Sequence, residues 1–100
     1  MNYINMNAQQ FKTAIDEDKS AILLDVRTPR EVAEGSIEGA KAIDFLAGNF
    51  DQKVADFDKD KTYLIYCRSG ARSGKACQIM SQLGFTKLVN LEGGILSWNY

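Results

Sequence analysis

The residues best able to do chemistry stand together, as Cys67-Arg68-Ser69-Gly70-Ala71-Arg72-Ser73. The apolar run Tyr63 to Tyr66 delivers the cysteine, four residues separate it from Arg72, and a helical pattern follows from about Ser73 to Leu83. That order describes a loop wrapped around a helix start, where backbone N–H groups converge and the helix dipole favours negative charge. Gly70 permits backbone angles that a Cβ would forbid, and Ser69 and Ala71 keep the loop compact. A thiol at that focus is biased toward thiolate, the reactive form. Arg68 and Arg72 add positive charge suited to oxyanions such as sulfite, thiosulfate, phosphate or arsenate. The plainer reading is a buried structural thiol closing a strand, since cysteine is commonly buried. Two arginines and a glycine directly after it have no use in an inert core, and they favour the reactive reading.

What is missing narrows the chemistry further. The chain has no His and only two cysteines, Cys67 and Cys77. No Ser-His or Cys-His pair can form within it, and zinc sites of the usual kinds are excluded, so neither metal nor cofactor is expected. Cys77 shares a helical stripe with Ala76, Met80 and Leu83, which reads as core, with a resolving thiol as the alternative. About three turns of helix, on the order of 15 Å, are expected to separate it from the loop.

The elements that must position the loop alternate along the chain. Tyr3 to Asn5 suits a short edge strand, and Asn7 with Gln10 opens a helix through Phe11, Ala14 and Ile15. Ala21 to Leu24 is a buried-strand run ending at Asp25. Thr28, Pro29 and Glu31 mark a second helix start, with Thr28 as cap and Glu31 completing a capping box. Ala40 to Phe45 contains a small strand, Asn49 to Phe57 is helical, Lys87 to Leu91 is a last strand, and a short helix containing Trp98 follows Gly93-Gly94. This alternation predicts an α/β fold, a central parallel sheet of about five strands flanked by helices on both faces, built as one domain over residues 1–100. In such sheets ligands bind beyond the carboxyl ends of the strands, where Cys67 lies. Asp25 and Arg27 leave their strand at the same end and are expected as a supporting pair that orders neighbouring loops. The plainer alternative gives Asp25 backbone N–H partners and Arg27 a nearby Glu. Phe45, Leu46 and Phe50 flank the same rim, with core packing the plainer role for Phe50.

Composition sets outer bounds. Hydrophobic residues are 45% and charged residues 25% of 100, an ordinary globular mixture, and the net charge is -1. Such a chain has no global field to attract nucleic acid or an anionic membrane. No apolar run is long enough to span a bilayer, and MNYINMNAQQ lacks the features of a secretory signal, so the expected compartment is the cytoplasm.

With these residues in place, the chain resembles the single-domain rhodanese-like sulfurtransferases over nearly its whole length. The resemblance rests on LLDVRTPREV (Leu23 to Val32), GSIEGAKAID (Gly35 to Asp44), CRSGARS (Cys67 to Ser73) and NLEGGILSW (Asn90 to Trp98). It implies the three-layer rhodanese-like fold, Cys67 as the catalytic cysteine, and Arg68, Ser69, Gly70, Ala71 and Arg72 as the loop that binds substrate and persulfide. It further implies a sulfane sulfur moving from thiosulfate or a persulfide to cyanide or a thiol, or a relay to another protein, across an open pocket. Ser36 stands where the family often has His. Phosphatases of related fold carry one more residue between Cys and Arg, so the shorter loop here disfavours phosphate or arsenate chemistry. A sulfur carrier loaded by a partner protein is the main alternative, and a silent interaction domain is disfavoured by the intact Cys67.

Overall fold

The structure is a computed structural model and describes residues 2–100. Its core is a five-stranded, all-parallel sheet of β1 (Ile4–Met6), β2 (Ile22–Asp25), β3 (Lys41–Ala42), β4 (Tyr63–Tyr66) and β5 (Leu88–Leu91), in the order β1-β5-β4-β2-β3. The connections run through α1 (Ala8–Glu17), α2 (Pro29–Ala33), α3 (Phe50–Val54) and α4 (Ala71–Gln82). Two 3-10 turns, Phe45–Ala47 and Gly94–Ser97, complete the chain order.

Strand alternation divides the core into two layers. On one face Leu24, Tyr63, Ile65 and Leu88 lie against Phe50 and Val54 of α3 and Ala76, Cys77 and Met80 of α4. On the other, Leu23, Leu64, Val89 and Leu91 lie against Phe11 of α1, with Trp98 set edge-on to Phe11 at 5.9 Å. The expected α/β architecture is therefore present, with helices on both faces.

Local chemistry explains where the elements begin. The predicted capping box of Thr28 with Glu31 forms at α2, where Pro29 occupies the first turn, and the helix start expected at Asn7 with Gln10 is a capping box as well. Strand ends shift by at most one residue from the sequence reading, and four elements depart further. The strand expected in Ala40 to Phe45 keeps only two exposed residues, because Asp44 instead accepts from Leu46 N–H and starts a 3-10 turn. The helix expected over Asn49 to Phe57 shortens to α3. The terminal helix is a 3-10 turn that ends before Trp98. α4 starts two residues early, at Ala71, because Gly70 at φ +107° turns the chain directly into the helix. That early start puts Ser73 in the first turn of α4, directly against the cysteine.

Candidate active site around Cys67

Cys67 follows β4 without a gap, and the loop to Ala71 folds back over its sulfur. Gly70 N–H donates to Cys67 Sγ at 3.1 Å, Ser73 N–H at 3.4 Å, and the Ser73 hydroxyl stands 3.2 Å from it. The amides thus point inward, as the loop reading requires. Burial pushes the thiol up, but hydrogen bonds from the Ser73 hydroxyl and from the N–H groups of Ser73, Gly70 and Ser69 outweigh it. The net result lies below the ordinary thiol value.

A third segment closes the loop from outside. Ile95 N–H donates to the Cys67 carbonyl and Leu96 N–H to the Arg68 carbonyl. Gly94, at φ +62°, lies so close to Arg68 that a Cβ would collide with the Arg68 carbonyl and the Ser69 nitrogen. Gly93-Gly94 is therefore a backbone device that lets the chain touch the loop.

The expectation of an open pocket is corrected: Cys67 is only 1% exposed. The cause is the cradle itself, because amides close enough to hold the sulfur also cover it. Arg68, Ser69 and Ala71 form the exposed outer surface of that cover.

Arg72 is also not the open guanidinium suggested by the sequence. Its Nη1 and Nη2 donate to Glu31 Oε1 and Oε2 at 2.7 and 2.8 Å. Arg72, helped by the Thr28 backbone and side chain, holds the Glu31 carboxyl down at about 2 against the smaller effect of burial. Glu31 does more than cap α2: it ties that helix to the start of α4, beside the Cys67 loop.

Asp25 and Arg27 form the expected pair, and it is buried. Arg27 Nε and Nη2 donate to Asp25 Oδ1 and Oδ2 at 2.9 and 2.7 Å, and Arg27 N–H donates to Oδ1. Both sequence readings of Asp25 are thus realised, while Arg27 takes Asp25 rather than a Glu carboxylate. Tyr66 completes the group, its hydroxyl donating to Asp25 Oδ2 and accepting from Ile37 N–H. Burial, reinforced by Asp25, pushes the Tyr66 phenol above its usual range. The other Arg27 hydrogens reach the carbonyls of Glu31 and Gly35. The pair therefore anchors α2 and the turn after it, and is linked toward Cys67 by Tyr66 on one side and by the carbonyl of Glu31, whose carboxylate holds Arg72, on the other. Removing either partner of such a pair costs about 3–5 kcal/mol.

Cys77 lies closer to Cys67 than its sequence separation suggests. Ser73 touches Cys67 Sγ, and Cys77 follows four residues later on the same helix face, about 6 Å along the axis. Burial first, and then the charge of Cys67, push the Cys77 thiol up to about 12. Phe50 is core, Phe45 lies on it at 5.3 Å, and Leu46 is exposed.

Sequence reasoning missed three contributors. Ser73 had a readable signal, a hydroxyl immediately after Arg72 in a helix first turn. Asn90 also had one, a polar residue in an apolar strand on the face that meets α4. The Glu31–Arg72 pair had none, since 41 residues separate its members.

Comparison with known proteins agrees with this geometry. Residues 7–100 match the rhodanese-like domain family. The YtwF protein of Bacillus subtilis is 39% identical over 98% of this chain and 92% of its own length. A sulfurtransferase of Allochromatium vinosum is 33% identical over 93% of this chain and 85% of its own. The crystal structure of a rhodanese-like domain protein from Staphylococcus aureus superposes with a TM-score of 0.83 at 32% identity, covering 95% of this chain and 90% of that one.

Proposed function

Since the chain belongs to the rhodanese-like domain family, we propose that it transfers sulfane sulfur through a persulfide formed on Cys67. The family supports a sulfurtransferase or sulfur-carrier role. The observation that carries the finer reading is the set of donors around Cys67 Sγ: two backbone N–H groups and one hydroxyl within 3.4 Å.

The steps follow from those donors. The Cys67 thiolate attacks the outer sulfur of thiosulfate, a new S–S bond forms, the S–S bond of thiosulfate breaks, and sulfite leaves with the electron pair. Cys67 is then an anionic persulfide. Cyanide or a thiolate attacks the terminal sulfur, leaves as thiocyanate or a new persulfide, and the Cys67 thiolate returns. Negative charge sits on sulfur throughout, so fixed N–H dipoles serve every stage and no imidazole base is needed. Because Glu31 already occupies Arg72, Arg68 is the loop arginine placed to meet an incoming anion.

The burial of Cys67 favours a second reading, a sulfur carrier loaded by a partner protein and emptied onto another. A covered persulfide is shielded from stray thiols, which suits storage and hand-over.

One experiment tests both. The whole chain is incubated with thiosulfate and analysed by mass spectrometry, then supplied with cyanide. One added sulfur on the Cys67 peptide, continuous thiocyanate release, and loss of both in Cys67→Ser are expected. Loading only from a protein persulfide, without thiosulfate turnover, selects the carrier. An added sulfur on Cys77, or thiocyanate from Cys67→Ser, overturns the assignment to Cys67.

A further inference from the structure

Asn90 lies in β5 on the face covered by α4 and is 6% exposed. Its Nδ2 donates to Asn5 Oδ1 on β1 at 3.0 Å and to the Gly70 carbonyl at 3.3 Å. Its Oδ1 meets the Ser73 hydroxyl in a short hydrogen bond. The Gly70 carbonyl fixes which way round this amide lies. Reversing it would set Oδ1 against a carbonyl oxygen, two acceptors with no hydrogen between them. Asn90 therefore presents Ser73 with an oxygen that can only accept.

The Ser73 hydroxyl has one hydrogen and two neighbours that can take it, Asn90 Oδ1 and Cys67 Sγ. We propose that Asn90 is a positioning residue that holds the Ser73 hydrogen while Cys67 is a thiol and yields it to the sulfur when Cys67 ionises. With the thiol, Cys67 S–H donates to Ser73 Oγ and Ser73 O–H donates to Asn90 Oδ1, so every group is satisfied. On ionisation the thiol proton goes to solvent, the Ser73 hydrogen swings to the sulfur, and Asn90 Oδ1 loses its donor. Leaving a buried acceptor unpaired opposes that change. Asn90 thus restrains the acidity that the loop amides confer. The restraint serves catalysis, because an attacking thiol works best with its acidity near the ambient pH, and a more acidic thiolate is a weaker nucleophile. The same competition meets the persulfide, whose inner sulfur has no hydrogen to return to Ser73.

Other charged and titratable groups surround this trio. Arg68 and Arg72 come from the loop and α4, Cys77 from α4, Glu31 from α2 through Arg72, Asp25 and Arg27 from the end of β2, and Tyr3 from beside β1. None is altered by the variants below.

The inference rests on Cys67 as the reacting thiol, and its test does not pass through sulfur transfer. Iodoacetamide labelling of the Cys67 peptide is followed against pH in the parent chain, Ser73→Ala, Asn90→Leu and the double variant. Ser73→Ala raises the midpoint, whereas Asn90→Leu lowers it by about half a pH unit, roughly threefold in thiolate at a given pH. In the Ser73→Ala background, Asn90→Leu has no hydrogen to release and lowers nothing. A shift of the same sign and size in both backgrounds overturns the proposal. A measurement on the unmutated fold guards against a variant that does not fold: the Asn90 Cγ chemical shift must titrate with the Cys67 midpoint, and Ser73→Ala must abolish that step. A Cγ shift that stays flat through the midpoint equally overturns it.

Discussion

Cys67 and Cys77 are hidden to the same degree, 1% and 0% exposed, and both belong to the core layer beneath α4. Their acidities nevertheless move apart, Cys67 below the ordinary thiol and Cys77 up to about 12. Exposure cannot account for that. Cys67 has fixed donors aimed at its sulfur, whereas Cys77 sits farther along α4, where the backbone N–H groups are spent within the helix. The acidity of each thiol follows what faces its sulfur within hydrogen-bond reach.

The largest test of this contrast is alkylation of the folded chain at pH 7. Cys67 should label faster than Cys77 by on the order of tenfold or more, because its larger thiolate population outweighs the weaker nucleophilicity of a more acidic thiolate. Site-resolved mass spectrometry over time reads both peptides at once. Comparable rates would show that burial, and not the donors, governs these thiols.

An effect of similar size is expected from Gly94→Ala, which drives a methyl group into the Arg68 carbonyl. The loop must shift, its amides lose their aim, and sulfur transfer falls on the order of tenfold or more. The Cys67 labelling midpoint should rise toward that of a free thiol while Cys77 stays inert. An unchanged midpoint would mean that the last 3-10 turn does not hold the cradle.

The smallest effect is on stability, and here the two thiols act with opposite sign. Cys77 has a raised value in the fold, so between the unfolded value of about 8.5 and the folded value of about 12 the unfolded chain binds fewer protons. Stability is intact below that window and falls as pH rises through it, by up to about 1.4 kcal/mol per pH unit. Cys67 has a lowered value, so its contribution is present above the unfolded value and is lost as pH falls through the folded one. Urea unfolding at pH 7, 9 and 10.5 should show the alkaline decline in the parent chain and a flatter profile in Cys77→Ala. Equal slopes would remove Cys77 from the explanation.

Much of this was legible in the residues. The alternation of apolar runs and caps predicts the parallel sheet, and the Cys67 to Ser73 order predicts inward amides, because each depends on neighbours in sequence. Two features were not legible. The Glu31–Arg72 clamp arises only when β2 and β4 pair and bring α2 beside α4, so no local spacing announces it. The outer support of the Cys67 loop depends on Gly94 to Leu96 returning to its backbone, a contact written in two distant segments. Element ends shifted for a local reason instead: Gly70 let α4 begin early, and Asp44 diverted a strand into a turn.

The bonds from Ile95 and Leu96 to the carbonyls of Cys67 and Arg68 join two stretches of chain that are far apart in sequence. The aim of the Cys67 loop is therefore a property of the folded chain, and a short peptide carrying only Cys67 to Ser73 would lack the outer half of its support.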